Sequence, residues 1–310
     1  MTILLFPGQG AQKVGMAKDL AERFPEARST LARIDAALET SLTSLMWEGP
    51  DDTLTLTHNA QPAILAHSAA VLAVLRGRLG AVVAAAGHSL GEYSAYIAAG
   101  ALDAADAALL VRRRGELMFE AGQVRPGAMA AVLGLGTAEV EASCAGASAS
   151  GEGTVVAANL NAPDQTVISG DPDAVARAGE LCKSAGAKRV LPLKVSGAFH
   201  SPLMEPAVAG LREALDASPF GEPGFPIVAN ATADFCHSRD AAVELLARQL
   251  TAPVRWVASM QRLADAHPDA RWLELGPGSV LTGLLKRIIP GASCTPLGTA
   301  AELETWLAAQ

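Results

Sequence analysis

The sequence predicts an α/β protein: a doubly wound, parallel-sheet domain into which a smaller β-α-β-β-α-β unit is inserted. Three observations carry this expectation. Before Gln123, apolar runs of strand length alternate with amphipathic, helix-like stretches. The segment Gly87-His88-Ser89-Leu90-Gly91 joins one such apolar run to the start of a helix. Beyond Arg125-Pro126-Gly127 the order of the elements changes.

Residues 1–6 read as a first strand: they lack the basic leader of a signal peptide and run straight into Pro7-Gly8. Residues 81–86 form a second apolar run, and residues 92–99 open a helix. From Ala128 the order becomes strand (128–133), helix (137–145), strand (154–159), strand (165–170), helix (171–185), strand (188–193). That is the order of a ferredoxin-like unit. In its second helix Asp171 is placed to N-cap, Pro172 suits the first helical position and Gly186 suits the C-terminal cap. Mixed α/β character resumes after Ser196. Residues 125–195 are therefore the expected insertion, and 1–124 with 196–310 the large domain. A cleft between two such units is a usual place for a substrate.

At 310 residues, half of them apolar, the chain can bury a large core. Residues 60–86 come nearest to a membrane span, but His67, Arg76 and Arg78 interrupt them. Cys144, Cys182, Cys236 and Cys294 are widely separated, as expected of buried or incidental thiols in a reducing cytoplasm. Neither they nor the six histidines show metal-ligand spacing, so no metal is expected. A net charge of −8 argues against nucleic acid or an anionic membrane as partner.

Gly-x-Ser-x-Gly between strand and helix is the pattern of a nucleophile elbow. Glycines allow the tight turn, and the serine hydroxyl is raised at a helix N-terminus where unpaired backbone N–H groups can hold an oxyanion. Ser89 then needs a base. His200 lies on a loop where the chain leaves the inserted unit, whereas His58, His67, His237 and His267 read as solvated or core residues. His88, next to the serine, reads as a packing or hydrogen-bonding element. For an acid that orients the base, Asp164, Asp171 and Asp173 stand in hydrolase order, although turns and caps explain all three as well. In Phe6-Pro7-Gly8-Gln9-Gly10-Ala11-Gln12, the N–H of Gln9 is placed to be a second oxyanion donor. Among Arg112, Arg113 and Arg114, which span nearly a full helical turn, one can point inward, and a buried arginine calls for an anion.

These segments fall in order with Thr57-His58-Asn59-Ala60-Gln61-Pro62, Arg114-Gly115-Glu116-Leu117-Met118, Asn159-Leu160-Asn161-Ala162-Pro163, Phe199-His200-Ser201-Pro202, Gln249-Leu250-Thr251-Ala252-Pro253-Val254 and Glu274-Leu275-Gly276-Pro277-Gly278. Together they resemble the malonyl-CoA:acyl carrier protein transacylases of bacterial fatty acid synthesis, from Leu4 to about Ile289. The resemblance implies a hydrolase-like large lobe and a ping-pong reaction. Ser89 would take malonyl from malonyl-CoA and pass it to the phosphopantetheine thiol of acyl carrier protein, with His200 as base and then acid. It implies that a backbone carbonyl near Gln249 orients the histidine, which removes the three aspartates. It also implies an oxyanion hole from the N–H groups of Gln9 and Leu90, and Arg114 paired with the malonyl carboxylate. Gln61, His88, Asn159, Phe199 and Gln249 would complete the substrate site. Phe199 stands where malonyl-selective relatives carry Phe and methylmalonyl-selective ones Ser. Ala11 departs from the serine of many members, at a position that spares the oxyanion donor.

No cofactor is implied beyond the substrates, and the expected setting is cytoplasmic. Acyl carrier proteins are acidic, so local basic clusters are the expected docking elements: Lys183, Lys188 and Arg189 on the inserted unit, Lys286 and Arg287 near the C-terminus. Within the resemblance, a free-standing transferase of a polyketide pathway or a malonate decarboxylase would share the motifs. A plain serine hydrolase or thioesterase has no use for a buried arginine, and a non-catalytic docking scaffold none for the serine and histidine.

Overall fold

The computed structural model describes residues 1–309. Strand β1 (Thr2–Phe6) is followed by helices α1 (Lys18–Arg23), α2 (Pro25–Leu38), α3 (Leu42–Glu48), α4 (Asp51–Thr55) and α5 (Thr57–Leu75), then by β2 (Val82–Gly87). Helices α6 (Gly91–Ala98) and α7 (Ala104–Val124) lead into β3 (Ala128–Leu133), α8 (Thr137–Ala149), β4 (Val155–Ala162), β5 (Gln165–Gly170), α9 (Pro172–Ser184) and β6 (Arg189–Pro192). The chain continues through α10 (Glu205–Ala217), β7 (Ile227–Val228), β8 (Phe235–Cys236), α11 (Arg239–Gln249) and α12 (Trp256–Ala266). It ends with β9 (Arg271–Leu275), α13 (Val280–Ile288), β10 (Cys294–Leu297) and α14 (Ala300–Ala308).

The larger sheet runs β10-β9-β1-β2-β7-β8, parallel except for the last pair. Both faces are covered, as a parallel sheet requires. Alternation sends Leu4 and Phe6 of β1 into one core with α2, α5, α7 and α10, while Ile3 and Leu5 face a second core with Trp256, Met260 and Leu285. Among the described residues no strand lies between β1 and β2, and five helices fill that interval. Of these, α5 is buried nearly all round, so its apolar residues carry no helical stripe for a periodicity argument to find. Among the described residues no helix is long and apolar enough to cross a membrane. All four cysteines are buried free thiols.

The second sheet, β4-β5-β3-β6, is antiparallel throughout. Ala130, Val132 and Ile168 pack against α8 and α9, so their alternate neighbours Met129, Ala131 and Val167 face the opposite way, toward the larger sheet's lobe. Strand β4 also touches that lobe directly: Leu160 N–H donates to the Val254 carbonyl (2.9 Å) and Val254 N–H to that of Ala158 (2.8 Å). One local expectation needs correction. Asp171 precedes α9 in extended conformation and Pro172 opens the helix, but the Asp171 side chain does not cap it. Its carboxylate instead accepts Thr154 N–H (2.7 Å) and a two-pronged contact from Arg125. A guanidinium fork and a strand amide outcompete the helix end for the same oxygens.

Candidate active site

Ser89 stands between the C-terminal end of β2 and the first turn of α6, with φ at +51°. A left-handed serine is strained, and it persists here because its flanks leave no alternative. A Cβ on Gly87 would lie 1.8 Å from the Gly91 carbonyl carbon, and one on Gly91 2.1 Å from the Phe6 carbonyl oxygen. The elbow is clamped from outside by Asn230, whose Oδ1 accepts Ser89 N–H (2.6 Å) while its Nδ2 donates to the Gly87 carbonyl (2.7 Å).

His200, itself at φ +56°, brings Nε2 to 2.7 Å from Ser89 Oγ. Its Nδ1 lies 2.9 Å from the Gln249 backbone carbonyl. A carbonyl can only accept, so Nδ1 carries the proton and Nε2 presents a lone pair to the serine hydroxyl. Burial, and next the nearby charge of Arg114, press the His200 pKa down to about 3. Asp164, Asp171 and Asp173 make no hydrogen bond to it.

Arg114 on α7 is 1% exposed. Its partners are neutral: Nη1 donates to Gln61 Oε1 (2.6 Å), Nη2 to Gln249 Oε1 (2.9 Å) and to Ser89 Oγ (3.2 Å). Nε is buried with no acceptor, and the guanidinium sits 5.6 Å over the Tyr93 ring. Burial lowers its pKa, but a guanidinium remains charged. A buried cation beside Ser89, hydrogen-bonded to amides rather than to a carboxylate, leaves its charge free to pair with an anionic group entering the site. Arg112 instead donates to Asn59, and Arg113 is exposed near Glu116 and Glu120.

These groups open onto a cavity of about 490 Å³ between the two sheets, lined also by Gln9, Leu90, Phe199, Asn159 and Asn161. The amides of Gln9 and Leu90 make no hydrogen bond among the described residues. Gln61 Nε2 donates a hydrogen bond to Thr57 Oγ1 (2.9 Å), which donates to Gln9 Oε1 (3.0 Å), so the arginine and the Gln9 loop belong to one network. His88 is bonded to Asn161 (2.7 Å) and lies beside the Trp256 ring. A larger hollow, about 690 Å³, lies over α9 and the small sheet, but it holds no nucleophile and base. The chemistry selects the smaller one.

The docking candidates are dispersed. Lys188, Arg189 and Lys286 are exposed, Lys183 pairs with Glu180 (2.7 Å), and Arg287 is engaged by Asp164 and Gln165. Lys194, which sequence reasoning passed over, lines the cavity itself. Glu92, Asn230 and Asn161 were missed as well. A glutamate between Gly91 and Tyr93, opening an otherwise apolar helix, was the one available signal.

The acyl transferase domain family matches residues 3–301. Malonyl CoA-acyl carrier protein transacylase of Bacillus subtilis is 46% identical over 284 residues, covering 92% of this chain and 89% of that one. The Escherichia coli K12 protein of the same name is 44% identical over 97% of this chain and 98% of its own. The chain belongs to this transacylase family. Among solved structures, an acyl carrier protein S-malonyltransferase from Vibrio cholerae superposes with a TM-score of 0.93 at 41% identity, covering 98% of this chain and 99% of that one. A malonyl-transacylase in complex with its type II polyketide acyl-carrier protein gives 0.94 at 42% identity, covering 100% and 99%.

If His200 is the base, its burial has a consequence for the pH profile. The acid limb of kcat/KM reports the free enzyme's base. An imidazole of pKa about 3 stays in its base form far below the ordinary 6.5. Acylation measured by rapid quench is expected to be flat from pH 8 to pH 5. An acid limb centred near 6.5 in the folded enzyme would show that His200 is more solvated than its burial implies. Glu92, pushed up to about 7 by burial, adds no limb of its own. A proton on Oε1, which has no partner, would leave the two hydrogen bonds on Oε2 in place.

Proposed function

We propose that this chain transfers malonyl from malonyl-CoA to the phosphopantetheine thiol of acyl carrier protein by way of a malonyl-Ser89 ester, as its place in the transacylase family suggests. The observation that carries the reading is the cationic, carboxylate-free Arg114 at 3.2 Å from a Ser89 hydroxyl that His200 engages at 2.7 Å. In the first half-reaction Ser89 Oγ attacks the thioester carbonyl as its proton moves to His200 Nε2. The carbonyl oxygen gathers charge toward the N–H groups of Gln9 and Leu90. The C–S bond breaks, and the imidazolium returns the proton to the departing thiolate. The second half-reaction is the reverse with the carrier thiol, so both substrates use one base and the reaction needs no cofactor beyond them. Residues 125–195 act as the second wall of the cleft, and the setting is cytoplasmic. Intact-protein mass spectrometry tests the scheme directly: malonyl-CoA adds one malonyl mass to the enzyme, and carrier protein removes it while gaining the same mass. An enzyme that never carries the adduct rules the scheme out.

Phe199 is 6% exposed, lines the cavity and adjoins the base. In this reading its ring fills the space that an α-methyl on malonyl would need. Phe199→Ser is expected to raise methylmalonyl relative to malonyl transfer by about 10- to 100-fold, the worth of one methyl in an apolar pocket. An unchanged ratio of the two kcat/KM values would take Phe199 out of the selectivity account.

The acidic carrier would be steered by Lys188 and Arg189, which are exposed on the small unit. Steering acts on association and fades with salt. Reversal of both to Glu should raise the KM for carrier protein several-fold at low salt and leave transfer to free pantetheine unchanged. Unchanged carrier kinetics would move the docking surface elsewhere.

A further inference from the structure

Glu92 is a buried carboxylate that the reaction scheme leaves unused. It is 1% exposed, and its Oε2 accepts two hydrogen bonds, from Asn230 N–H (2.9 Å) and from Gln249 Nε2 (2.8 Å). Both donors belong to residues that hold the reacting groups. Asn230 clamps the elbow on either side of His88. Gln249 touches everything else: its backbone carbonyl orients His200, its Nε2 also donates to the Ser89 carbonyl (3.0 Å), and its Oε1 accepts from Arg114.

An amide side chain has two chemically opposite ends. In the observed orientation the Gln249 oxygen faces a guanidinium and its nitrogen faces two acceptors. Turned over, it would set NH₂ against the guanidinium and oxygen against a carboxylate and a carbonyl. The Ser89 carbonyl favours the observed orientation, but it also accepts from Glu92 N–H in the first turn of α6. Oε2 of Glu92 is the closer acceptor of the two.

We propose that Glu92 is the positioning residue for acyl-group selection: its carboxylate fixes the orientation of the Gln249 amide and thereby the place of the Arg114 guanidinium. The inference rests on the reading of Arg114 as the malonyl carboxylate's partner. Glu92 touches neither substrate nor reacting atoms. Its loss should therefore fall harder on a carboxylated acyl group than on a plain one, whereas a residue that merely supports the fold would affect both alike.

The test compares kcat/KM for malonyl-CoA and acetyl-CoA in the full-length wild type, Glu92→Met, Glu92→Asp and Glu92→Gln. Met fills the space without an acceptor, Asp withdraws the carboxylate by one methylene, and Gln offers an Oε1 that can take both hydrogen bonds. The malonyl-to-acetyl ratio is expected to fall about tenfold in Glu92→Met and less in Glu92→Asp. In Glu92→Gln it should stay within about threefold of wild type. Should the Met variant fail to fold, the Asp and Gln pair carries the same comparison. Equal losses for both acyl donors, or a Gln variant that behaves like Met, would overturn the inference. A wild type with no malonyl preference would instead sink the reading of Arg114 on which it rests.

Discussion

Ser89→Ala is expected to abolish the malonyl-enzyme and to reduce malonyl transfer by a factor on the order of 10⁶, the scale on which deleting one half of a serine–histidine pair acts. The structure explains why no neighbour substitutes. Ser94 is fully buried within α6 with its hydroxyl facing no partner, and Ser68 is fully buried within α5. Neither lines the cavity, whereas Ser89 lies at its floor with base and guanidinium in place. The substitution removes one hydroxyl from a backbone that Gly87, Gly91 and Asn230 hold independently, so the fold should survive. Mass spectrometry after incubation with malonyl-CoA, with circular dichroism as the control for folding, reads the result. An adduct forming on Ser89→Ala at a rate near wild type would mean that another residue is the nucleophile and that the elbow is only a turn.

How much of this was legible in the sequence follows from the range of the interactions. Strands 128–133 and 165–170 were placed to the residue, because each is a short, mostly apolar run of strand length bounded by Gly or Asp. The elbow was legible because its constraint is local: five residues contain both glycines and the serine. Ser89, His200 and Arg114 were singled out by motif, and although they come from three separate segments the folded chain brings them within hydrogen-bond reach. What escaped was the layer that holds them. Asn230 lies 141 residues from Ser89, and Glu92 lies 157 from Gln249. A single Asn between Ala229 and Ala231, or a Glu at a helix start, has many ordinary explanations, and only the fold, which sets the turn after β7 against the elbow and the end of α11 against Glu92, selects this one. The helices between β1 and β2 were left unnamed for the opposite reason: α5 is so thoroughly buried that its sequence shows no polar face.

Arg114→Ala is expected to change which acyl group the enzyme prefers. In the proposed malonyl-enzyme the substrate carboxylate enters a site from which water is largely excluded, and Arg114 is the cation that meets it. Removing one member of a buried charge pair costs about 3–5 kcal/mol, so malonyl transfer should fall by roughly two to nearly four orders of magnitude. Acetyl carries no carboxylate to strand, so its transfer should hold or rise. The free enzyme loses no charge pair in this variant, because Arg114 hydrogen-bonds to amide and hydroxyl oxygens rather than to a carboxylate, but the buried Gln61 and Gln249 oxygens lose their donor, so circular dichroism must accompany the kinetics. Glu92 is the one buried acid that feels its charge, and burial already holds that carboxyl near neutrality. Losing the cation favours its neutral form further, which spares the fold the penalty of an unpaired anion. Arg114→Lys keeps the charge but cannot span Gln61 and Gln249 as the guanidinium fork does, and it should fall between Ala and wild type. The two half-reactions can be read separately, by acyl-enzyme formation from malonyl-CoA and from acetyl-CoA. Equal losses with both donors would make Arg114 a structural residue. Since Arg112 is tied to Asn59 and Arg113 faces solvent with Glu116 and Glu120, no neighbouring arginine could then inherit the role without moving a helix turn.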